Sequence, residues 1–141
     1  MEAKKILVVD DNSIILKTLT LKLKAAGYQV LTAGDGSSAV SLARQEKPDL
    51  LLLDLSLPPD VGHGGGVPWD GFLILSWLKH MRQAQGLPVI IITGSDSAKD
   101  KQNALAAGAV GYFHKPIEHE QLLARIGQVL GQTAPPASVP A

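Results

Sequence analysis

Five side chains scattered along this chain could do phosphoryl chemistry if folding brought them together: Asp10, Asp11, Asp54, Thr93 and Lys115. Each stands at the end of a short apolar run. Asp10 and Asp11 follow ILVV (6–9), Asp54 ends DLLLLD (49–54), Thr93 ends LPVIIIT (87–93), and Lys115 and Pro116 follow AVGYFH (109–114). Three carboxylates gathered at one place repel and raise one another's pKa unless a cation intervenes. Oxygen-only ligands with room for water suit magnesium. Three carboxylates against Mg²⁺ and the Lys115 ammonium sum to zero formal charge, and a neutral site can receive a phosphoryl group. The metal can polarise that group while the lysine holds its oxygens. A carboxylate not neutralised by direct coordination could attack phosphorus and become an acyl phosphate.

The elements that must position these groups are legible as an alternation. The runs 6–9, 28–33, 49–54, 87–93 and 109–114 read as strands, and helix-period stretches lie between them. Leu16, Leu19, Leu23 and Ala26 recur on one helical face, with Asn12 or Ser13 available to cap its start and Gly27 at its end. Residues 35–46 and 96–108 read as the second and fourth helices. Ile74, Trp77, Leu78 and Met81 mark the third helix, and Leu122, Ile126, Val129 and Leu130 the fifth. Strict strand–helix alternation implies an α/β fold: a five-stranded parallel sheet, doubly wound as (βα)5. The strand runs are apolar throughout rather than alternating, as expected when helices cover both faces. Ligands of such sheets bind at the carboxyl ends of the strands, which is where the five groups fall.

Composition narrows the field. The 141 residues suffice for one well-buried core, and 45% hydrophobic with 18% charged content is that of a globular chain. Thirteen basic and thirteen acidic residues cancel, and the largest basic cluster, around Lys79 to Arg82, is small. That leaves no electrostatic footprint for nucleic acid or an anionic membrane. With no cysteine there is no disulfide framework, thiolate zinc site or Cys nucleophile. No apolar run is long enough to span a bilayer, and the first residues do not read as a signal peptide, so the expected location is cytoplasmic. A folded domain over 1–130 is expected, followed by a Pro/Ala-rich tail or linker start over 131–141.

VVDDN, LLLDLSLP, IIITG and GYFHKP, in this order and each at a strand end, resemble the receiver domain of bacterial two-component response regulators, the CheY-like superfamily. The resemblance covers roughly residues 4 to 130 and implies a flavodoxin-like strand order, 2-1-3-4-5. It implies that Asp54 accepts the phosphoryl group and that Asp10, Asp11 and Asp54 form the Mg²⁺ site, with Asp11 the direct ligand of the acidic pair. The backbone carbonyl of Ser56 would complete the metal shell. Thr93 would be the switch hydroxyl, Lys115 the lysine bonded to a phosphoryl oxygen, Pro116 a cis-proline and Tyr112 the switch aromatic that turns inward. The implied activity is that of a signalling switch rather than an enzyme, assisting its own phosphorylation and dephosphorylation. The implied partners are a histidine kinase or histidine phosphotransfer protein as donor. A downstream protein or output domain would read the face formed by the fourth helix, fifth strand and fifth helix, and there is room for a homodimer through that face. The Met1 start favours a stand-alone receiver or the first domain of a longer regulator.

The stretch after Asp54 departs from the family pattern. Eleven residues, PDVGHGGGVPW (59–69), separate Pro58 from Asp70-Gly71. Four glycines loosen it, and length in a surface loop costs little stability. It reads either as a tolerated insertion or as a lid or docking loop carrying His63 and Trp69. Gly94, after Thr93, leaves room for a donor's approach. Two other classes share parts of this pattern. A phosphohydrolase with an aspartyl-phosphate intermediate would want a second acid where Ser56 stands. A mononucleotide-binding module would not place two acids after its first strand, where they repel phosphate.

Overall fold

The computed structural model describes residues 3–55, 74–77, 87–94 and 98–131. The apolar runs become five parallel strands: β1 (Lys5–Val9), β2 (Gln29–Ala33), β3 (Leu50–Asp54), β4 (Val89–Thr93) and β5 (Gly111–His114). Their order across the sheet is β2-β1-β3-β4-β5, the flavodoxin-like arrangement. The helices are α1 (Ser13–Ala25), α2 (Gly36–Glu46), α3 (described over residues 74–77), α4 (Ala98–Ala106) and α5 (His119–Leu130).

Alternate strand residues feed two separate cores, as the two-residue period of a strand requires. Leu7, Val9, Leu51, Leu53 and Ile91 pack with Ala39 and Ala43 of α2, Ile74 and Leu75 of α3, and Ala104 of α4. Ile6, Val8, Leu50, Leu52, Ile90 and Ile92 pack with Leu19 and Leu23 of α1 and Leu122 and Ile126 of α5. Covering both faces is why β3 and β4 are buried at every position.

Local chemistry sets the ends. Asn12 Oδ1 accepts from the N–H groups of Ile14 and Ile15 and caps α1. Asp35 Oδ1 accepts from Ser38 N–H and caps α2. Gly27 adopts φ +98°, a left-handed value that a side chain resists, just past the end of α1. Ala26, expected on the buried face of the first helix, is instead its exposed C-cap, its N–H bonded back to Lys22 and Leu23 carbonyls. The fourth and fifth strands are shorter than their apolar runs. Pro88 has no N–H to give the ladder, although its carbonyl accepts from Leu51 N–H. Ala109 N–H turns back to the Ala104 carbonyl of α4, so β5 begins only at Gly111. Leu78 and Met81 lie outside the described residues, as does the tail from 132.

Candidate functional site

The carboxyl ends of β1, β3, β4 and β5 lie side by side, with Asp54 registered against Ile92 and Thr93 against His114. Asp10, first residue past β1, is held by a backbone bond from its N–H to the Ala33 carbonyl at the end of β2. Its carboxylate is fully buried, and Oδ1 accepts from Asn12 N–H at 2.8 Å. Asp54, the last residue of β3, is buried as well, whereas Asp11 is exposed. One ligand oxygen from each of the three acids lies within 4.8 Å of the others. Lys115 is anchored by its own N–H to the Thr93 carbonyl at 2.8 Å. Its ammonium sits 2.9 Å from Asp10 Oδ2 and 3.3 Å from Asp54 Oδ2, bridging two strands' acids from a third. The Lys115–Pro116 peptide bond is cis.

Burial and charge act against each other here. Burial pushes Asp10 above the usual carboxylate range; the Asn12 N–H and Lys115 oppose that rise, and the charge of Asp54 adds to it. Repulsion among the acids, the cause expected from sequence, is thus the lesser contribution: taking the carboxylate out of water dominates. For Lys115, burial works to lower the pKa, but its bonds to Asp10 and Asp54 and their charges outweigh it, so the ammonium is held above its ordinary value. The donors are all hard carboxylate oxygens. Two are buried and the third, Asp11, faces solvent, a set that fits a small hard divalent cation keeping some of its waters.

Thr93 is buried at the end of β4. Ile91 pairs with Tyr112 and Thr93 with His114, so Thr93 and Tyr112 share one face of the sheet on neighbouring strands. The Tyr112 ring packs against the core that contains Ile91, and its hydroxyl oxygen is buried. His114 is exposed. Ser56 and the whole 59–69 loop, with His63 and Trp69, lie outside the described residues. Two side chains near Tyr112 escaped the sequence reading. Lys101 of α4 places its ammonium 6.0 Å from the centre of the Tyr112 ring. Arg125 of α5 donates twice to the Val110 carbonyl, at 3.0 and 2.7 Å. No motif marks either residue. For Lys101 the available signal was helical phase, since it lies three residues before the buried Ala104.

A parallel five-stranded sheet with a carboxylate triad and a lysine at its carboxyl edge defines the CheY-like class of α/β proteins. Residues 6–127 match the response regulator receiver domain family, and the chain belongs to it. Protein PilH of Pseudomonas aeruginosa is 39% identical over 126 residues, covering 89% of this chain and 97% of that protein. The probable transcriptional regulatory protein TcrX of Mycobacterium tuberculosis is 34% identical over 91% of this chain but only 50% of its own length. The chain thus spans about half the length of TcrX and nearly all of PilH. Among solved structures, a CheY-like response regulator receiver domain protein from Methanospirillum hungatei superposes with TM-score 0.80 at 30% identity, covering 92% of this chain and 95% of that one. The receiver domain of the sensor histidine kinase PA1611, described with magnesium coordinated in its active-site cleft, gives TM-score 0.78 at 26% identity, covering 92% and 99%.

Proposed function

We propose that this chain is a phospho-accepting switch in which Asp54 takes a phosphoryl group from a phosphohistidine on a sensor kinase or histidine phosphotransfer protein. The observation that carries the reading is the Lys115 ammonium bridging Asp10 and Asp54 inside a three-carboxylate cluster. A carboxylate oxygen of Asp54 attacks phosphorus, and the P–N bond of the donor breaks. Its electron pair returns to the imidazole nitrogen, and the carboxylate becomes an acyl phosphate. Lys115, already bonded to Asp54, is positioned to hold a phosphoryl oxygen, and Thr93 offers a hydroxyl to another. A magnesium ion held by Asp10, Asp11 and Asp54, with the Ser56 carbonyl, would neutralise charge and polarise the phosphoryl oxygens. Water later releases phosphate, so the domain assists both its phosphorylation and its dephosphorylation without an external turnover substrate.

The acyl phosphate would carry about −1.5 to −2 charge, by analogy with other phosphoryl groups, where a monoanion stood. Thr93 is drawn toward it, and Tyr112, on the same sheet face, follows. Tyr112 and β5 line an open groove of about 690 Å³ between α4 and α5, with Leu105, Phe113, Ala124 and Arg125. A partner that prefers one form of this face reads the state. That partner is either a separate protein or an output domain of a longer polypeptide. The groove also offers a surface for homodimer formation. No described helix is long and apolar enough to cross a membrane, and this reading places the switch in the cytoplasm with no direct nucleic-acid contact from these residues.

Site mapping tests the assignment. After incubation with acetyl phosphate and Mg²⁺, hydroxylamine converts an acyl phosphate to a hydroxamate, which peptide mass spectrometry locates. The hydroxamate is expected at Asp54. Modification at another acid, or phosphate on a hydroxyl or imidazole, would refute the reading.

A further inference from the structure

The ammonium of Lys101 lies 6.0 Å from the centre of the Tyr112 ring. The ring also packs against the core that contains Ile91 and Ala104 and lines the open groove between α4 and α5. The ring thus has an apolar core against it and a cation of α4 nearby, and its hydroxyl oxygen is already enclosed. A cation near an aromatic ring is attracted by its quadrupole, and at an exposed lysine the attraction corresponds to about two- to fivefold in an equilibrium ratio. Lys101 is exposed, carried by a helix whose buried contact with the core is Ala104.

We infer that Lys101 is a positioning residue: its ammonium favours the inward placement of the Tyr112 ring before any phosphoryl group arrives, and so sets how readily the switch turns. The inference rests on Tyr112 being the switch aromatic. If the inward ring and the phosphorylated site favour each other, each must favour the other by the same factor. A domain whose competent form is only partly populated binds its ligand more weakly by that fraction. Removing the Lys101 charge should then weaken binding of a phosphoryl mimic at Asp54.

The chain has two tyrosines, which makes the test compact. Tyr28 belongs to the core on the opposite sheet face and serves as an internal control. Protein labelled with 3-fluorotyrosine gives one ¹⁹F resonance per tyrosine, followed while beryllofluoride is added with Mg²⁺. In the wild type the Tyr112 resonance is expected to move on saturation while that of Tyr28 stays. In Lys101→Gln the starting Tyr112 resonance should lie further from its saturated position. The beryllofluoride affinity should fall about two- to fivefold, and Lys101→Arg should restore both. A Tyr112 resonance that ignores beryllofluoride in the wild type overturns the switch reading and this inference with it. A resonance that responds normally, with Lys101→Gln unchanged in position and affinity, overturns the role of Lys101 alone. Equal losses in Lys101→Gln and Lys101→Arg also overturn it, since a retained cation would then make no difference.

Discussion

Lys115 is the residue on which the site's charge balance turns. Asp10 and Asp54 are both buried, and the Lys115 ammonium is within 3.3 Å of each. Removing one partner of a buried pair leaves an uncompensated charge. Lys115→Met should therefore cost about 2 kcal/mol in magnesium-free buffer, measured by urea denaturation. Saturating Mg²⁺ should recover most of that loss by supplying the missing charge. Asp10 makes the complementary prediction. Its native pKa is raised above 3.8, so the folded state binds more protons than the unfolded one as pH rises through that window. Stability must fall there, and the loss is complete above the raised native value. Without magnesium, wild type should lose stability relative to Asp10→Asn as pH rises from about 4 toward neutrality. A pH-independent difference between the two would show that burial does not raise Asp10. Lys115 gives a loss in the same direction, at much higher pH. Its raised pKa contributes stability that is present below 10.5 and is lost as pH climbs through the raised value.

The elements deliver these groups through their ends, and the ends divide into those legible in sequence and those that are not. A cap at Asn12 or Ser13 and the stop at Gly27 were legible because each has a local cause, an oxygen for orphan N–H groups and freedom at positive φ; the structure selects Asn12. Gly27→Ala should cost about 1 kcal/mol by thermal denaturation. Nothing lies within 4 Å of the added methyl, so the cost is backbone strain alone, and phosphorylation should be unchanged. Gly94 has the same open space without the positive φ. Gly94→Ala should hold its stability within about 0.5 kcal/mol, so any slowing of phosphotransfer would report obstruction of the donor's approach. The placement of the five candidate residues was legible because each ends an apolar run, and a parallel sheet brings such ends to one edge. What stayed hidden depends on side-chain contacts between elements. Lys101 reaches the Tyr112 ring, Arg125 reaches the Val110 carbonyl, and the dominance of burial over repulsion at Asp10 requires knowing that Asp10 is enclosed and Asp11 is not.

At the scale of the whole molecule, a sheet buried on both faces makes a rigid frame, and the candidate site sits where that frame ends. An ion that binds the folded triad but not the unfolded chain must stabilise the fold by mass action. Millimolar Mg²⁺ should raise the melting temperature of wild type, by a margin that shrinks in Asp11→Ala. An equal rise in both would place the ion elsewhere. The insertion after Pro58 is tested at the same scale. If deleting residues 60–67 alters neither phosphorylation nor dephosphorylation rate, the stretch is a tolerated insertion and not a lid. The most direct measurement of all is intact mass after incubation with acetyl phosphate, with and without Mg²⁺, for wild type and Asp54→Asn. A receiver that phosphorylates at Asp54 gains a single phosphoryl group, and gains none in the variant or without the metal. An adduct that persists in Asp54→Asn, or forms equally well without Mg²⁺, would contradict the assignment of Asp54 as the acceptor in a metal-assisted site.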